Sequence, residues 1–555
     1  MQFQAAAQKK TKGINPFQFQ IQKKVTGRYG AVVSAHPLAS RVGLSILQQG
    51  GNAVDAAIAV QLALAVVHPS AGNIGGGGFF IARLSDGRTV ALDYREKAPG
   101  RASRDMYLDS MGKPNMALSQ DGRLSSGVPG TIAGLFASMK YAKLPFAKLI
   151  QPAIDLAEKG FTLTEKEAAS LNGSKQEFQT TNSNPPVFVK EAGWKAGDTL
   201  IQRDLAGTLK RIRDLGQKGF YEGETARLIV AEMKKANGII GYDDLKNYHA
   251  IERKPVQFNY KGYEIISMPL PSSGGLILQQ CMKMVEDRNI GSLGFQSPAA
   301  VQLMVEAERR SFADRAKYLG DPDFVKVPLN TLVSATYLKE RMKDFVPGLA
   351  GNSKSIGAGM IPHESMETTH LSVVDKWGNA VSATTTLNNG YGSKTVIEGA
   401  GFIMNDEMDD FSVKPGVPNM FGAIGGEANA IAPGKRMLSS MTPAIVLKNH
   451  RPYLVTGTPG GTTIPTSVFQ TILNIIEFNL STEDAVNLPK FHHQWLPDVI
   501  IVEQGFPAVT IEALHGMGYH TNKAGSIGRT ELIRISNGTV EAVGDKRGDD
   551  DAEAY

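Results

Sequence analysis

The longest apolar run in the chain, residues 53–67 (AVDAAIAVQLALAVV), sets the first constraint on what it can fold into. It is broken only by Asp55 and Gln61 and falls short of the roughly 18 residues a membrane span needs, so it is expected to be a helix buried inside a protein core. Both ends are marked. Asn52 offers an N-cap oxygen, Asp55 suits the positive end of the helix, and His68-Pro69 stops it. A core of that kind is within reach of 555 residues that are 42% hydrophobic and 20% charged. With 59 Gly and 28 Pro, the same composition excludes a wholly disordered, collagenous or coiled-coil chain. The net charge of +5, spread over the whole length, gives no nucleic-acid footprint, and no nucleic-acid partner is expected.

Residues 1–25 are rich in Gln and Lys with few core-formers and read as a mobile leader. No apolar h-region follows its lysines, so it does not read as a signal peptide. From Gly30 to about Phe345, strand-like runs such as YGAVVSAH, GFFIARL and YEIISMPL alternate with helical periods, which is an α/β alternation. Residues 346–367 (VPGLAGNSKSIGAGMIPHESME) are dense in Gly, Ser and Pro without periodicity and read as a linker. Beyond it, THLSVVD and AVSATTTLN flank Lys376-Trp377-Gly378-Asn379 as an antiparallel hairpin. A turn centred near Trp377 makes facing residues sum to about 754, which sets Thr386 across from Thr368 and leaves Asn388 just beyond.

Several familiar chemistries are excluded. The run Gly75–Gly78 follows a helix, and the last glycine of a dinucleotide fingerprint would fall on Phe80. Neither a phosphate-binding GxxxxGK[ST] nor a GxSxG elbow occurs, and the adjacent His492 and His493 cannot both face one metal from a regular element. Cys281, the single cysteine, rules out an intrachain disulfide, and its apolar setting LILQQCMKM reads as an inert buried thiol. What remains is Glu367-Thr368-Thr369-His370, where the linker meets the first strand residue. An internal threonine is a poor nucleophile. An N-terminal one carries a free α-amine, of pKa about 8, that acts as its own base, so the arrangement makes chemical sense if the chain is cut between Glu367 and Thr368.

This segment resembles the γ-glutamyltranspeptidase family of N-terminal-nucleophile hydrolases. The resemblance runs from about Gly30 to the C-terminus. It rests on ordered blocks: Asp93-Tyr94-Arg95-Glu96 with Ala98-Pro99, GNIGGGGFF, Pro271-Ser272-Ser273-Gly274-Gly275, Thr368-Thr369-His370, Asn405 to Phe411 (NDEMDDF), Pro433-Gly434-Lys435-Arg436 with Leu438-Ser439-Ser440-Met441, and Thr458-Pro459-Gly460-Gly461. The resemblance implies an α+β, four-layer αββα sandwich built jointly by two products of self-cleavage, a large subunit (26–367) and a small catalytic subunit (368–555). It implies Thr368 as nucleophile, Thr386 as its support, and Gly460 and Gly461 as the oxyanion hole. Arg95 with Ser439 and Ser440 would clamp the substrate α-carboxylate at one end, and Asp410, Glu407 and Asn388 would hold its α-ammonium at the other. Glutathione and related γ-glutamyl compounds are the implied donors, water, amino acids or peptides the acceptors, with no cofactor, no metal and no membrane span. An exported location, periplasmic or secreted, is implied as well. The rivals are a glutaryl or cephalosporin acylase of the same superfamily and an uncleaved, non-enzymatic glutamyl-binding protein. One departure is expected: Phe421, in the loop 414–422, stands where several bacterial members carry a tyrosine that bonds the equivalent of Asn388.

Overall fold

The computed structural model describes residues 14–356, 368–417 and 425–555. Two seven-stranded sheets form its centre. One runs in the order Asp551–Ala554, Ala31–Ser34, Thr369–Val374, Ala380–Thr386, Gly77–Arg83, Thr89–Asp93, Ile251–Arg253. The other runs Lys24–Gly27, Thr539–Val543, Glu531–Ser536, Arg451–Gly457, Ala444–Lys448, Tyr263–Ser267, Val256–Tyr260. Neighbouring strands in both are antiparallel, so the alternation read from the sequence does not produce a parallel sheet. The reason is topological: Gly77–Arg83 returns at once as the hairpin strand Thr89–Asp93, and the following helices come as a run rather than as single crossovers.

Both faces of each sheet are buried, and the alternation of side chains shows against what. Val33, Phe79, Ile81, Val374, Ile445 and Val455 point into the layer between the sheets. Their neighbours Val32, Phe80, Ala82 and Val373 face outward onto helices that include Pro37–Gln48, Ala53–Val67, Phe146–Lys159 and Arg203–Leu215. Ala444, Val446 and Leu454 do the same toward Gly274–Val285, Pro298–Tyr318 and Thr463–Ile476. The result is the αββα sandwich, with period-2 strands buried on both sides. Helix Ala53–Val67 is buried along its whole length; Asn52 caps its N-terminus as expected, and Asp55 answers by accepting the Asn52 N–H, which closes a capping box. Asp55 also accepts the backbone N–H groups of Lys143 and Leu144, which satisfies a carboxylate with no access to water.

The register estimate holds. Thr369 pairs with Thr385 and His370 with Thr384, each summing to 754, and the hairpin lies in the middle of its sheet between Ala31–Ser34 and Gly77–Arg83. Two sequence readings are corrected. Lys24 and Val25, placed in the leader, open an edge strand paired with Thr539–Val543, and Lys23 donates to the carbonyls of Asp545 and Gly548. A polar segment with few core-formers is held here by backbone pairing, which composition does not reveal. The first half of the linker is likewise fixed: Gly348 N–H donates to Gln302, Gly351 N–H to Glu306 and Ser353 N–H to Asp498. Its remainder, 357–367, lies outside the described residues.

Candidate functional site

Thr368 stands one residue before the strand Thr369–Val374 and is 6% exposed. It opens on a cleft also lined by Arg95, Arg315, Thr386, Asn388, Glu407, Asp410, Ser439, Ser440, Met441, Gly461, Thr462 and Ile464. Thr386 continues the hairpin register to the position opposite Thr368, and its hydroxyl accepts the Asn388 N–H at 2.8 Å. Asn388 adopts φ +80°, a left-handed conformation that lets its amide turn back to the Asp406 carbonyl at 3.1 Å. Behind this corner the backbones are in contact. A Cβ on Gly76 would lie 2.1 Å from the Thr386 carbonyl and one on Gly78 2.5 Å from that of Thr384. The glycine run is therefore a close-approach device rather than a phosphate loop. Asn73 locks it by donating to the Thr386 carbonyl and to Thr385 Oγ1 while accepting from Gly76 N–H and Thr131 Oγ1.

On the opposite sheet, Gly460 (φ +135°) and Gly461 (φ +53°) make the turn into helix Thr463–Ile476. The Thr463 N–H closes it onto the Gly460 carbonyl at 2.9 Å. A Cβ on Gly460 would approach Thr463 Oγ1 to 2.4 Å. Gly461 and Thr462 line the cleft with Thr368, which brings the start of a helix, with its main-chain amides, to the cleft wall; Gly460 adjoins them in sequence.

The other end of the cleft is charged. The Arg95 guanidinium, fully buried, donates to Glu407 and Asp410 and lies 3.5 Å from Glu96. Burial pushes the Glu407 and Glu96 carboxyls up, more than the pull of Arg95 brings them down. Burial works against the charged form of Arg95 too, but the carboxylates around it outweigh that and keep it protonated. Tyr248 donates to the Arg95 carbonyl at 2.6 Å, and Asp93 accepts the Arg95 N–H while pairing with Arg253 and Arg436. The serine pair is equally braced. Ser439 N–H donates to the Pro271 carbonyl, Ser273 N–H and hydroxyl donate to the Ser439 carbonyl, and Ser439 Oγ accepts the Met441 N–H at 3.2 Å. Gly274 permits this because a Cβ there would meet Thr442 Oγ1 at 2.1 Å.

The structure thus brings together Thr368, Thr386, Gly461, Arg95, Asn388, Glu407, Asp410, Ser439 and Ser440, with Gly460 adjoining. It corrects their arrangement in one respect: the cationic and acidic groups do not stand at opposite ends but are bonded to each other. A ligand with a carboxylate and an ammonium on one carbon, which the resemblance implies, would meet both kinds of group side by side. Sequence reading missed Arg315, which sits in a helical period that looked merely amphipathic, and Asn73, one residue before the glycine block's isoleucine. Glu367 and Phe421 lie outside the described residues. His370 is a spacer between the sheets: its ring lies 2.3 Å from where a Gly457 Cβ would be, and burial pushes its pKa down to about 3. His492 and His493 are buried and hydrogen-bonded, and among the described residues no group of three or more His, Cys, Asp or Glu could hold a metal ion. Among those residues, too, no helix is long and apolar enough to cross a membrane.

The sequence profile described as Gamma-glutamyltranspeptidase matches residues 39–555. The glutathione hydrolase proenzyme of Escherichia coli (strain K12) is 45% identical, aligned over 96% of this chain and 92% of its own. Among solved structures, the cephalosporin acylase from Bacillus halodurans superposes with a TM-score of 0.83 at 25% identity over 99% of both chains. The Helicobacter pylori gamma-glutamyltranspeptidase superposes with a TM-score of 0.58 at 43% identity, covering 61% of this chain and 96% of that one. The chain belongs to the gamma-glutamyltranspeptidase family.

Proposed function

We propose that this chain is a γ-glutamyltransferase and glutathione hydrolase made as a precursor that cleaves itself between Glu367 and Thr368. The observation that carries the reading is the convergence of Thr368 with Arg95, Asp410, Ser439 and Ser440 on one cleft. In maturation, the Thr368 hydroxyl attacks the Glu367 carbonyl and the Glu367–Thr368 C–N bond breaks, which moves the acyl group to oxygen and frees the α-amine; water then hydrolyses the ester, releasing the Glu367 carboxylate and restoring the hydroxyl. In turnover, Thr368 Oγ attacks the γ-carbonyl of the donor. The α-amine takes the hydroxyl proton and passes it to the leaving amine, and water or an acceptor amine resolves the γ-glutamyl ester. Amides at Gly460 and Gly461 stabilise the tetrahedral oxyanion. Thr386 fixes the orientation of Thr368. The α-carboxylate of the donor takes up part of the bonding capacity of Arg95 together with the Ser439 and Ser440 hydroxyls, and Asp410, Glu407 and Asn388 receive the α-ammonium.

The strands Thr369–Val374 and Ala380–Thr386 lie between Ala31–Ser34 and Gly77–Arg83, which supports a heterodimer whose subunits share one sheet after cleavage. An exported location, periplasmic or secreted, belongs to the same reading and is checked by fractionating cells that express the full-length gene. The second reading, a cephalosporin-type acylase, draws on the B. halodurans superposition. Asp410 beside Arg95 weighs against it, because a glutaryl group has no ammonium to pair with that carboxylate. The test is the release of anilide from a γ-glutamyl anilide with and without glycylglycine. Release stimulated by the dipeptide is expected. Absence of release, or faster release from a glutaryl anilide, would overturn the assignment.

A further inference from the structure

Helix Pro298–Tyr318 carries three buried arginines after its first three turns. Arg309 bonds to Glu306 and Asp498, and Arg310 to Glu306 and Asp344. Arg315, 6% exposed, donates from Nε to Ser273 Oγ at 3.1 Å and from Nη2 to Ser440 Oγ at 3.3 Å. It also lines the cleft that holds Thr368. We infer that Arg315 is a positioning residue for the donor's α-carboxylate, acting through Ser440 and through the brace that Ser273 places on Ser439.

A serine hydroxyl has one proton to give and two lone pairs to accept with. With the Arg315 guanidinium donating into Ser440 Oγ, an accepting role is filled by a permanent donor and the single O–H proton is turned outward. Ser439 is set in the same way, since its Oγ accepts the Met441 N–H. Two hydroxyls whose lone pairs are occupied in this manner present O–H donors to whatever stands between them, and an anion is the ligand that rewards this. The same guanidinium donates to Ser273 Oγ, whose own proton goes to the Ser439 carbonyl at 2.6 Å. Arg315 therefore fixes both serines, one directly and one through a single intermediary. Arg95 holds the preceding stretch from its own side by donating to the Met437 carbonyl at 3.3 Å, so two guanidiniums bracket residues 437–440. A permanent positive charge next to Ser440 also adds to the potential that an entering carboxylate meets.

The inference rests on the γ-glutamyl reading, and its test separates the two. Arg315→Met, Arg315→Lys, Ser440→Ala and the double variant Arg315→Met/Ser440→Ala are measured with a γ-glutamyl anilide, recording KM and kcat separately. A wild type that releases no anilide breaks the functional reading itself. With an active wild type, Arg315→Met is expected to raise KM about tenfold to hundredfold, the scale of a lost hydrogen bond to a charged group, while kcat changes less than about threefold. Arg315→Lys keeps the charge without the fork and should recover part of that loss. Ser440→Ala should add little once Arg315 is gone, because the hydroxyl it removes is no longer aimed. A KM unchanged in both arginine variants, a fall confined to kcat, or fully additive effects of the two substitutions would each overturn the role assigned to Arg315.

Discussion

The two ends of the cleft are built on opposite electrostatic plans. Around Arg95 there are Glu96, Glu407 and Asp410, buried or nearly so and bonded to one another through the guanidinium. The cleft around Thr368 is also lined by the hydroxyl-bearing Thr386 and Thr462 and by Gly461, and burial keeps His370, two residues along the chain, neutral. A charged pocket recognises a zwitterion but would hold an amine protonated. On the proposed mechanism, a less charged surrounding suits an α-amine that must give up and take back a proton near its ordinary pKa, and recognition and proton transfer would be kept apart within one site.

Several substitutions would break or sharpen that contrast. The largest effect belongs to the neutral end: Thr368→Ala should abolish both cleavage and anilide release, since one oxygen serves both steps, as read by denaturing gel and initial rates. At the charged end, Asp410→Ala should lower kcat/KM for γ-glutamyl donors by about 2 to 3 kcal/mol while the chain still matures. Arg95→Ala should cost at least as much activity. It should also lower stability by roughly 3 to 5 kcal/mol in denaturant melts, because it strands buried carboxylates without their cation. Equal stability for the two variants would mean that the buried cluster is not held together by Arg95.

A smaller effect concerns pH. His370 in the folded protein is depressed to about 3 from the ordinary 6.5, so it binds a proton in the unfolded chain before it does so in the folded one. Its contribution is present above about pH 6.5 and is lost as pH falls toward 3, on the order of a few kcal/mol in total. His492 and His493, depressed to about 3 and about 4, act in the same direction. Denaturant midpoints between pH 7 and pH 4 should fall more steeply in the wild type than in His370→Gln. The smallest effect is at Cys281, fully buried and with its thiol pushed up by burial: iodoacetamide should leave the folded enzyme's activity unchanged.

What the sequence made legible was local. The hairpin register followed from one turn, because the strand period is two and a single fixed pair determines all the others. The buried helix and its Asn52/Asp55 cap were equally readable, since their partners lie three residues apart. The bonding of Arg95 to Asp410, 315 positions away, was not, and neither was the use of Arg315. Both depend on which carboxylate or hydroxyl the two stacked sheets bring opposite an arginine, and no spacing within a helix or strand encodes that. The edge strand Lys24–Gly27 was missed for a related reason: its hold comes from main-chain pairing with residues 540–543, to which side-chain composition is blind.

In the proposed mechanism Thr368 becomes a chain terminus. Intact-mass measurement and N-terminal sequencing of the purified, denatured protein test this directly. The expected result is a chain of 188 residues (555 less 367) beginning Thr-Thr-His-Leu, formed without added protease and absent from Thr368→Ala. An active protein that remains a single chain, or one cut at a different bond, would contradict it.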